Sequence, residues 1–104
     1  MAIKSVSGKT YQLETGCGKI YVTINNDEKD NPTELFCRIG KAGGCSSSQT
    51  EAVGRLATLA LKHGISPVKV IKQLQSISCH RPHNDIASCS DAVAAALANH
   101  VQID

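Results

Sequence analysis

The segment IGKAGGCSSSQTEAVGRLATLALKHG, residues 39–64, lies where one hydrophobic pattern changes into another. Before it, KIYVTIN (19–25) and TELFCRI (33–39) alternate apolar and polar residues, as strands with one buried face do. Inside it, apolar residues recur at the spacing of a single helix face: Val53, Leu56, Ala57 and Ala60. An antiparallel hairpin followed by helices in one small unit predicts the α+β class.

The segment also contains the first of three predicted helices, which runs from about Ser47 to His63 with Gly64 as its C-terminal cap. Ser66 is a typical N-cap residue, and Pro67 suits the first position of a second helix. The apolar stripe of this second helix consists of Val70, Ile71, Leu74 and Ile77. Because only two residues separate the helices, we expect them to form a tight pair.

The third predicted helix follows Ser88, which forms a capping-box pattern with Asp91. Its sequence, DAVAAALANHV (91–101), is rich in alanine, and its inward edge consists of Val93, Ala96, Leu97 and Val101. At the other end of the chain, IKSVSGKTYQLE (3–14) has short alternating segments on either side of Ser7 and Gly8, which predict an additional hairpin. We therefore expect an antiparallel sheet of three to four strands, followed by three helices packed on one face.

The composition limits the classes of function. A chain of 104 residues with 41% hydrophobic content fits a single domain, 1–104, with one core. The aromatic residues are few, which argues against a stacking platform for nucleic acid: Tyr11, Tyr21 and Phe36. The sequence has neither an apolar run of membrane-spanning length nor the apolar core of a signal peptide, so we expect a cytoplasmic protein. The small core and alanine-rich last helix predict a homo-oligomer.

The charge is unevenly distributed along the chain. Residues 35–83 contain one acid, Glu51, and seven basic residues: Arg38, Lys41, Arg55, Lys62, Lys69, Lys72 and Arg81. This excess favours an anionic ligand or partner. Solvation of the outer helix faces accounts equally well for Lys62, Lys69 and Lys72.

Five cysteines, an odd number, favour metal binding, redox chemistry or burial over a disulfide framework. Cys37 alternates with Leu35 and Ile39, which predicts a small buried hydrophobe. The other four lie in predicted turns or at helix starts: Cys17, Cys45, Cys79 and Cys89. They can form a four-thiolate zinc site, with His80 and His83 as further donors. None belongs to a C-x-x-C motif, so buried thiols remain an alternative.

Two of these cysteines, Cys45 and Cys89, lie where helices are predicted to begin. Free backbone N–H groups at such a position stabilise a thiolate, so we expect a lowered pKa for both thiols. A lowered pKa suits a zinc ligand and a redox thiol equally. The pair of Cys79 with a neighbouring histidine offers a nucleophile and a base, but adjacent residues in a tight turn rarely face each other. We therefore predict no catalytic residue.

The glycine-rich loop before the first helix allows an anion site. Backbone N–H groups at a helix start bind phosphates or carboxylates. The residues that would form this site are Lys41, Gly43, Gly44, Ser46, Ser47, Ser48 and Arg55. The loop does not match the P-loop pattern G-x-x-x-x-G-K-[ST], and glycines that turn the chain before serine caps explain the same residues without a ligand.

Four stretches, in order, carry a family resemblance: TGCGKIYVTIN, RIGKAGGCSSSQTEAVGRLATLALKHG, IKQLQSISCHRP and SCSDAVAAAL. Over about residues 15–97 the chain resembles the TSCPD domain, which occurs near the C-terminus of adenosylcobalamin-dependent ribonucleotide reductases and in small independent proteins. The name-giving stretch reads ASCSD here (87–91), so Ser88, Cys89 and Asp91 match, whereas Ala87 and Ser90 differ.

The resemblance implies that Cys17, Cys45, Cys79 and Cys89 are the metal-binding or redox set. It also implies a link to ribonucleotide reduction or nucleotide metabolism, although a chain this short lacks the catalytic barrel of a reductase. The leading hypothesis is a zinc-stabilised accessory or binding module, with a reductase as one partner. The alternatives are a protein that binds and sequesters a nucleotide or cyclic nucleotide, and a thiol redox protein that uses Cys45 with Cys79 or Cys89.

Overall fold

A computed structural model describes residues 3, 5–40, 44–79 and 85–102. Within these residues the chain forms one antiparallel sheet of three strands, β1 (Ser7–Thr15), β2 (Gly18–Asn26) and β3 (Pro32–Ile39), in the order β1-β2-β3. Three helices follow: α1 (Gly44–Lys62), α2 (Pro67–Leu74) and α3 (Cys89–His100). The predicted α+β class is confirmed.

The prediction of an additional hairpin at Ser7 and Gly8 is wrong, because β1 pairs with β2 without interruption from Ser7 to Thr15. Gly8 lies inside this strand, where an added Cβ would be only 2.5 Å from the carbonyl oxygen of Ile24. The glycine therefore permits a close approach of the two strands, and the alternation that it interrupts belongs to one strand.

The core lies between one face of the sheet and the helices. Ile20, Val22 and Ile24 of β2 are fully buried, and so are Val93 and Leu97 of α3. The side chains of the other sheet face point to solvent, where Phe36 is half exposed. The alternating pattern of β2 thus identified the buried face correctly.

Helix α1 lies along the outer edge of β3. The Thr58 hydroxyl accepts a hydrogen bond from the Leu35 N–H (2.9 Å) and donates one to the Leu35 carbonyl (3.0 Å). Gly54 allows this approach, because an added Cβ would be 3.1 Å from the same carbonyl. The helix therefore blocks an edge that another strand could otherwise pair with.

The structure corrects two predictions about α1. The helix begins at Gly44, three residues before the predicted start at Ser47. Its buried residues include Thr50, Gly54, Ala57 and Leu61, whereas Leu56, predicted to face the core, is 67% exposed. The helix turns the side that carries Gly54 and Thr58 toward β3, so its most apolar side faces partly outward.

The connection from α1 to α2 has the predicted cap at Gly64, whose φ is +82°. The Gly64 N–H donates to the Leu61 carbonyl and the Ile65 N–H donates to the Ala60 carbonyl, which is the Schellman pattern. Helix α2 nevertheless packs mainly on α3, so the prediction of a tight pair with α1 is wrong. Ile77 lies beyond the end of α2 and is 48% exposed. In the described part of the chain, no helix combines the length and apolarity needed to cross a bilayer.

His100 joins the end of α3 to the sheet. Its Nε2 lies 2.8 Å from Asn26 Oδ1, and its Nδ1 lies 2.7 Å from the Tyr11 hydroxyl. A neutral ring satisfies both contacts, because Nε2–H donates to the amide oxygen and Nδ1 accepts from the hydroxyl. Burial, and then the charge of Lys9, lower the pKa of His100, while Asp30 opposes the shift.

A pH dependence of stability follows from His100. Because its pKa is lower in the folded chain, the unfolded chain binds more protons, and the free energy of unfolding falls as the pH drops below about 6.5. We expect His100→Gln to flatten the pH dependence of urea unfolding over this acidic range. His63→Gln, at an exposed position, should leave it unchanged. Equal slopes for the His100→Gln variant and the wild-type chain would contradict the assignment.

Candidate functional site

A cavity of about 320 Å³ contains thiols from three separate segments. Cys17 lies in the turn between β1 and β2, Cys79 lies in the segment after α2, and Cys89 is the first residue of α3. The rest of the lining is polar but uncharged or apolar: Gln49, Thr50, Val53, Ile77, Ser78, Ser88, Ser90 and Val93. Three of the four cysteines predicted as ligands therefore meet at one place.

Thr15 organises the wall of this cavity next to two of the cysteines. Its side chain is 5% exposed, and its hydroxyl donates to the Gly18 carbonyl at 2.8 Å. The same oxygen accepts from the Cys17 N–H at 3.1 Å and lies 3.7 Å from Cys89 Sγ. Either atom can be the donor in this contact with Cys89. One side chain thus fixes the turn of Cys17 and contacts Cys89.

Asp91 holds together the two segments that contain Cys79 and Cys89. One carboxylate oxygen accepts from the Ser76 N–H at 2.7 Å, and the other accepts from the Ala87 N–H at 2.9 Å. The Ala87 carbonyl in turn accepts from the Cys79 N–H at 3.1 Å. The carboxylate therefore links the exit of α2 to the start of α3 and sets the backbone around both thiols.

The start of α3 has the predicted cap in a modified form. The Ser88 hydroxyl accepts from the Asp91 N–H at 3.1 Å, which confirms Ser88 as N-cap. In a reciprocal capping box, the Asp91 carboxylate would return to the Ser88 N–H. Here it bonds to Ser76 and Ala87, so its role extends beyond its own helix.

The prediction of a lowered pKa for Cys89 is wrong. Burial raises the pKa of this thiol, and this effect outweighs the lowering by the Thr15 hydrogen bond. The charge of Cys17 and a hydrogen bond with it raise the pKa further, and Cys79 adds a smaller effect of the same sign. Desolvation therefore overrides the helix start, and without a cation the site favours the neutral thiol.

Cys37 is only partly buried, where the alternation predicted a buried hydrophobic residue. It packs against the core, and burial raises the pKa of its thiol to about 12, with a small contribution from Cys89. This thiol is therefore protonated at neutral pH and unreactive. Because it lies outside the cavity, Cys37 can serve as a control position for substitutions of the other cysteines.

Several predicted site residues lie outside the described residues: Lys41, Gly43, His80 and His83. Gly44, Cys45 and Ser46 belong to the first turn of α1, but their side chains are not among those described. Within the described ranges, no three His, Cys, Asp or Glu side chains are close enough to hold a metal ion. Cys17, Cys79 and Cys89 line one cavity, but among the described residues they do not form a group of three that could hold a metal ion.

Among the described residues of the predicted anion site, Arg55 lies apart from Ser47 and Ser48. Ser47 and Ser48 lie in the first turns of α1, whereas Arg55 follows the helix start by eleven residues, about 16 Å at the α-helical rise. Its guanidinium pairs with the exposed Glu51 carboxylate at 2.7 Å. Arg55 therefore does not lie with the serines.

Sequence patterns did not single out Thr15 as a site residue. It ends a strand next to a glycine-rich turn, and nothing in its own sequence context shows that α3 will bring Cys89 to its hydroxyl. The second role of Asp91 also depends on tertiary contacts, since Ser76 lies fifteen residues away. The roles of Thr15 and Asp91 depend on contacts between separate elements, and local sequence patterns do not show these contacts.

The fold and the cavity define a small α+β domain whose thiols come together from its hairpin turn, the segment after α2 and the start of α3. The family model of the TSCPD domain matches residues 2–101. This match covers nearly the whole chain, so the protein belongs to the TSCPD domain family. No curated protein and no solved structure matches the chain.

Proposed function

We propose that this chain is a stand-alone accessory or binding module in which Cys17, Cys45, Cys79 and Cys89 hold a zinc ion. The observation that carries the proposal is that three of these cysteines converge on one cavity from segments far apart in the sequence. Such convergence suits a structural metal, because one ion then connects the hairpin turn, the segment after α2 and the start of α3.

The chemistry of the cavity fits zinc. Thiolates are the usual ligands of structural zinc, and no carboxylate of the described residues lines the cavity to favour a harder cation. When bound, the ion would supply a positive charge that stabilises the thiolates and free energy that stabilises the fold. Two residues of the chain would orient the ligands. Thr15 does so at the hairpin turn, and Asp91 does so at the end of α2 and the start of α3.

The position of Cys45 in α1 makes it the proposed fourth ligand. It lies one helical turn before Gln49, and Gln49 lines the cavity together with Thr50 and Val53 of the same helix. Residues four apart share one side of an α-helix. A role for Cys45 would connect α1 to a site that otherwise draws on the sheet, α3 and the segment before α3.

The proposed link to ribonucleotide reduction rests on membership of the TSCPD family. The described part of the chain is a three-stranded sheet with three helices, which leaves no barrel to enclose a nucleotide. The module would therefore act beside a reductase or another protein of nucleotide metabolism. Direct binding to an adenosylcobalamin-dependent reductase can be measured by analytical ultracentrifugation, and absence of a complex would contradict this part of the proposal.

Metal analysis tests the zinc site. Untagged protein purified without added zinc should contain about one zinc per chain, because structural sites bind this ion tightly. Replacement by cobalt should give the visible absorption of a tetrahedral thiolate site. Cys17→Ser and Cys89→Ser should each lose most of the metal, and a chelator should lower the thermal stability of the wild-type chain.

Cys37→Ser is the matched control, because it changes a cysteine outside the cavity. It should keep its full metal content and its cobalt spectrum. A content below about a tenth of an equivalent in the wild-type chain, after purification without chelator, would contradict the zinc site. Metal retained in both cavity variants would contradict the choice of ligands.

A further inference from the structure

Cys17 and Cys89 are brought together by one side chain. The Thr15 hydroxyl oxygen accepts from the Cys17 N–H at 3.1 Å and lies 3.7 Å from Cys89 Sγ. Both thiols line the same cavity, and neither forms a disulfide in the structure. Seventy-one residues separate the two cysteines along the chain, so the fold alone creates this contact.

From this arrangement we propose that Cys17 and Cys89 are a redox modification site that forms a reversible intramolecular disulfide. The pair is chosen because the Thr15 hydroxyl contacts the backbone of Cys17 and the sulfur of Cys89. Cys37 packs against the core and takes no part. This pair differs from the redox pairs that the sequence suggested, which were Cys45 with Cys79 or Cys89. Its position in the sequence does not show that Cys17 lies near Cys89 in the fold.

Cys17 lies in the hairpin turn between β1 and β2, outside the regular elements. A disulfide needs its two Cα atoms within about 7 Å, and small movements are easier in a turn than within a strand or helix. Cys89 is held at the first position of α3 by the Ser88 cap. A small movement of the Cys17 side chain would therefore close the disulfide, while Cys89 stays at its position in the helix.

The oxidant of the proposal is a small-molecule disulfide such as glutathione disulfide. The Cys17 thiolate attacks one of its sulfurs, the S–S bond breaks, and one glutathione thiolate leaves. The Cys89 thiolate then attacks the Cys17 sulfur of the mixed disulfide and displaces the second glutathione thiolate. The two protein thiols lose two electrons and two protons, and these reduce the glutathione disulfide to two molecules of glutathione.

One consequence of the disulfide rests on the proposed function. A sulfur bound in a disulfide is a poor zinc ligand, because the thiolate is the form that binds the metal. Oxidation of Cys17 and Cys89 would therefore remove two of the four ligands and release the ion. The disulfide itself needs no metal, so it can form in the metal-free chain whether or not zinc is the resident ion.

Peptide mapping tests the pairing. The chain is treated with a chelator and then with glutathione disulfide, and the remaining thiols are alkylated under denaturing conditions. Trypsin alone leaves Cys79 and Cys89 on one peptide, because it does not cleave between Arg81 and Pro82, and no lysine or arginine follows Pro82. A second protease that cleaves before aspartate, at Asp85 and Asp91, separates the two cysteines. We expect the peptide 10–19, with Cys17, to be linked to the peptide 85–90, with Cys89.

The controls use the same chemistry in variants of single cysteines. Cys79→Ser and Cys37→Ser should form the same link, whereas Cys17→Ser should give no link to the peptide 85–90. The wild-type map decides the question even where a variant fails to fold. Linkage of Cys89 to Cys79 or Cys45, or full alkylation of all five cysteines after oxidation, would overturn the proposal. A correct link in protein that contained no zinc as purified, before the chelator was added, would support the disulfide and contradict only the metal site.

Discussion

Asp91→Ala should lower the free energy of unfolding by about 3 kcal/mol, since two hydrogen bonds to a charged acceptor are lost together. The carboxylate accepts from the Ser76 N–H at 2.7 Å and from the Ala87 N–H at 2.9 Å. Alanine replaces neither acceptor, so the segment between α2 and α3 loses its anchor at both ends. Urea unfolding followed by circular dichroism measures the change.

Two variants show whether the carboxylate causes the loss. Asp91→Asn keeps one acceptor oxygen and should lose about half as much stability. Asp85→Ala removes a carboxylate from the same segment at an exposed position and should change the free energy of unfolding by less than about 0.5 kcal/mol. An Asp91→Ala chain as stable as the Asp85→Ala chain would show that the two hydrogen bonds contribute little.

Loss of Asp91 should also change the cavity. Ala87 contacts both sides of the site, because its N–H donates to Asp91 and its carbonyl accepts from Cys79 N–H. When the carboxylate is removed, the backbone that carries Cys79 is no longer fixed relative to α3. For the proposed zinc site, we therefore expect weaker metal binding in Asp91→Ala than in Asp85→Ala, beyond the effect on stability.

The elements that the sequence predicted well are those with a complete local signal. Strand β2 alternates over its whole length, so its buried residues follow directly from the pattern. Ser66 and Ser88 cap their helices as predicted, because an N-cap depends on residues only two or three positions away. Gly64 takes the positive φ that its position after a long apolar helix requires.

The errors arose where tertiary contacts override a local pattern. Gly8 resembles a turn residue, but it lies in a strand where β2 comes close. Leu56 has the spacing of a core residue, but α1 rotates it outward so that Gly54 and Thr58 can meet the edge of β3. The candidate site follows the same rule, because the sequence supplied its cysteines and the fold supplied Thr15, which connects two of them.

Thr15→Val should lower the free energy of unfolding by about 2 kcal/mol, although valine has nearly the same shape. The hydroxyl is buried and donates to the Gly18 carbonyl at 2.8 Å. It also accepts from the Cys17 N–H at 3.1 Å, and a methyl group leaves both backbone groups without this partner. Buried polar groups that lose their hydrogen bonds cost about 1–3 kcal/mol each, and partial access of water to the turn reduces the total.

Thr15→Ser separates the hydroxyl from the shape of the side chain. Serine keeps the oxygen and loses the methyl group, so it should retain most of the stability and the turn geometry. The two variants should differ further in the reactions of the cavity: Thr15→Val should form the Cys17–Cys89 disulfide more slowly, because the turn no longer holds Cys17 beside α3. Equal oxidation rates and equal stabilities would mean that β-strand pairing alone positions the turn, and that the contact of Thr15 with both cysteines has no consequence for their chemistry.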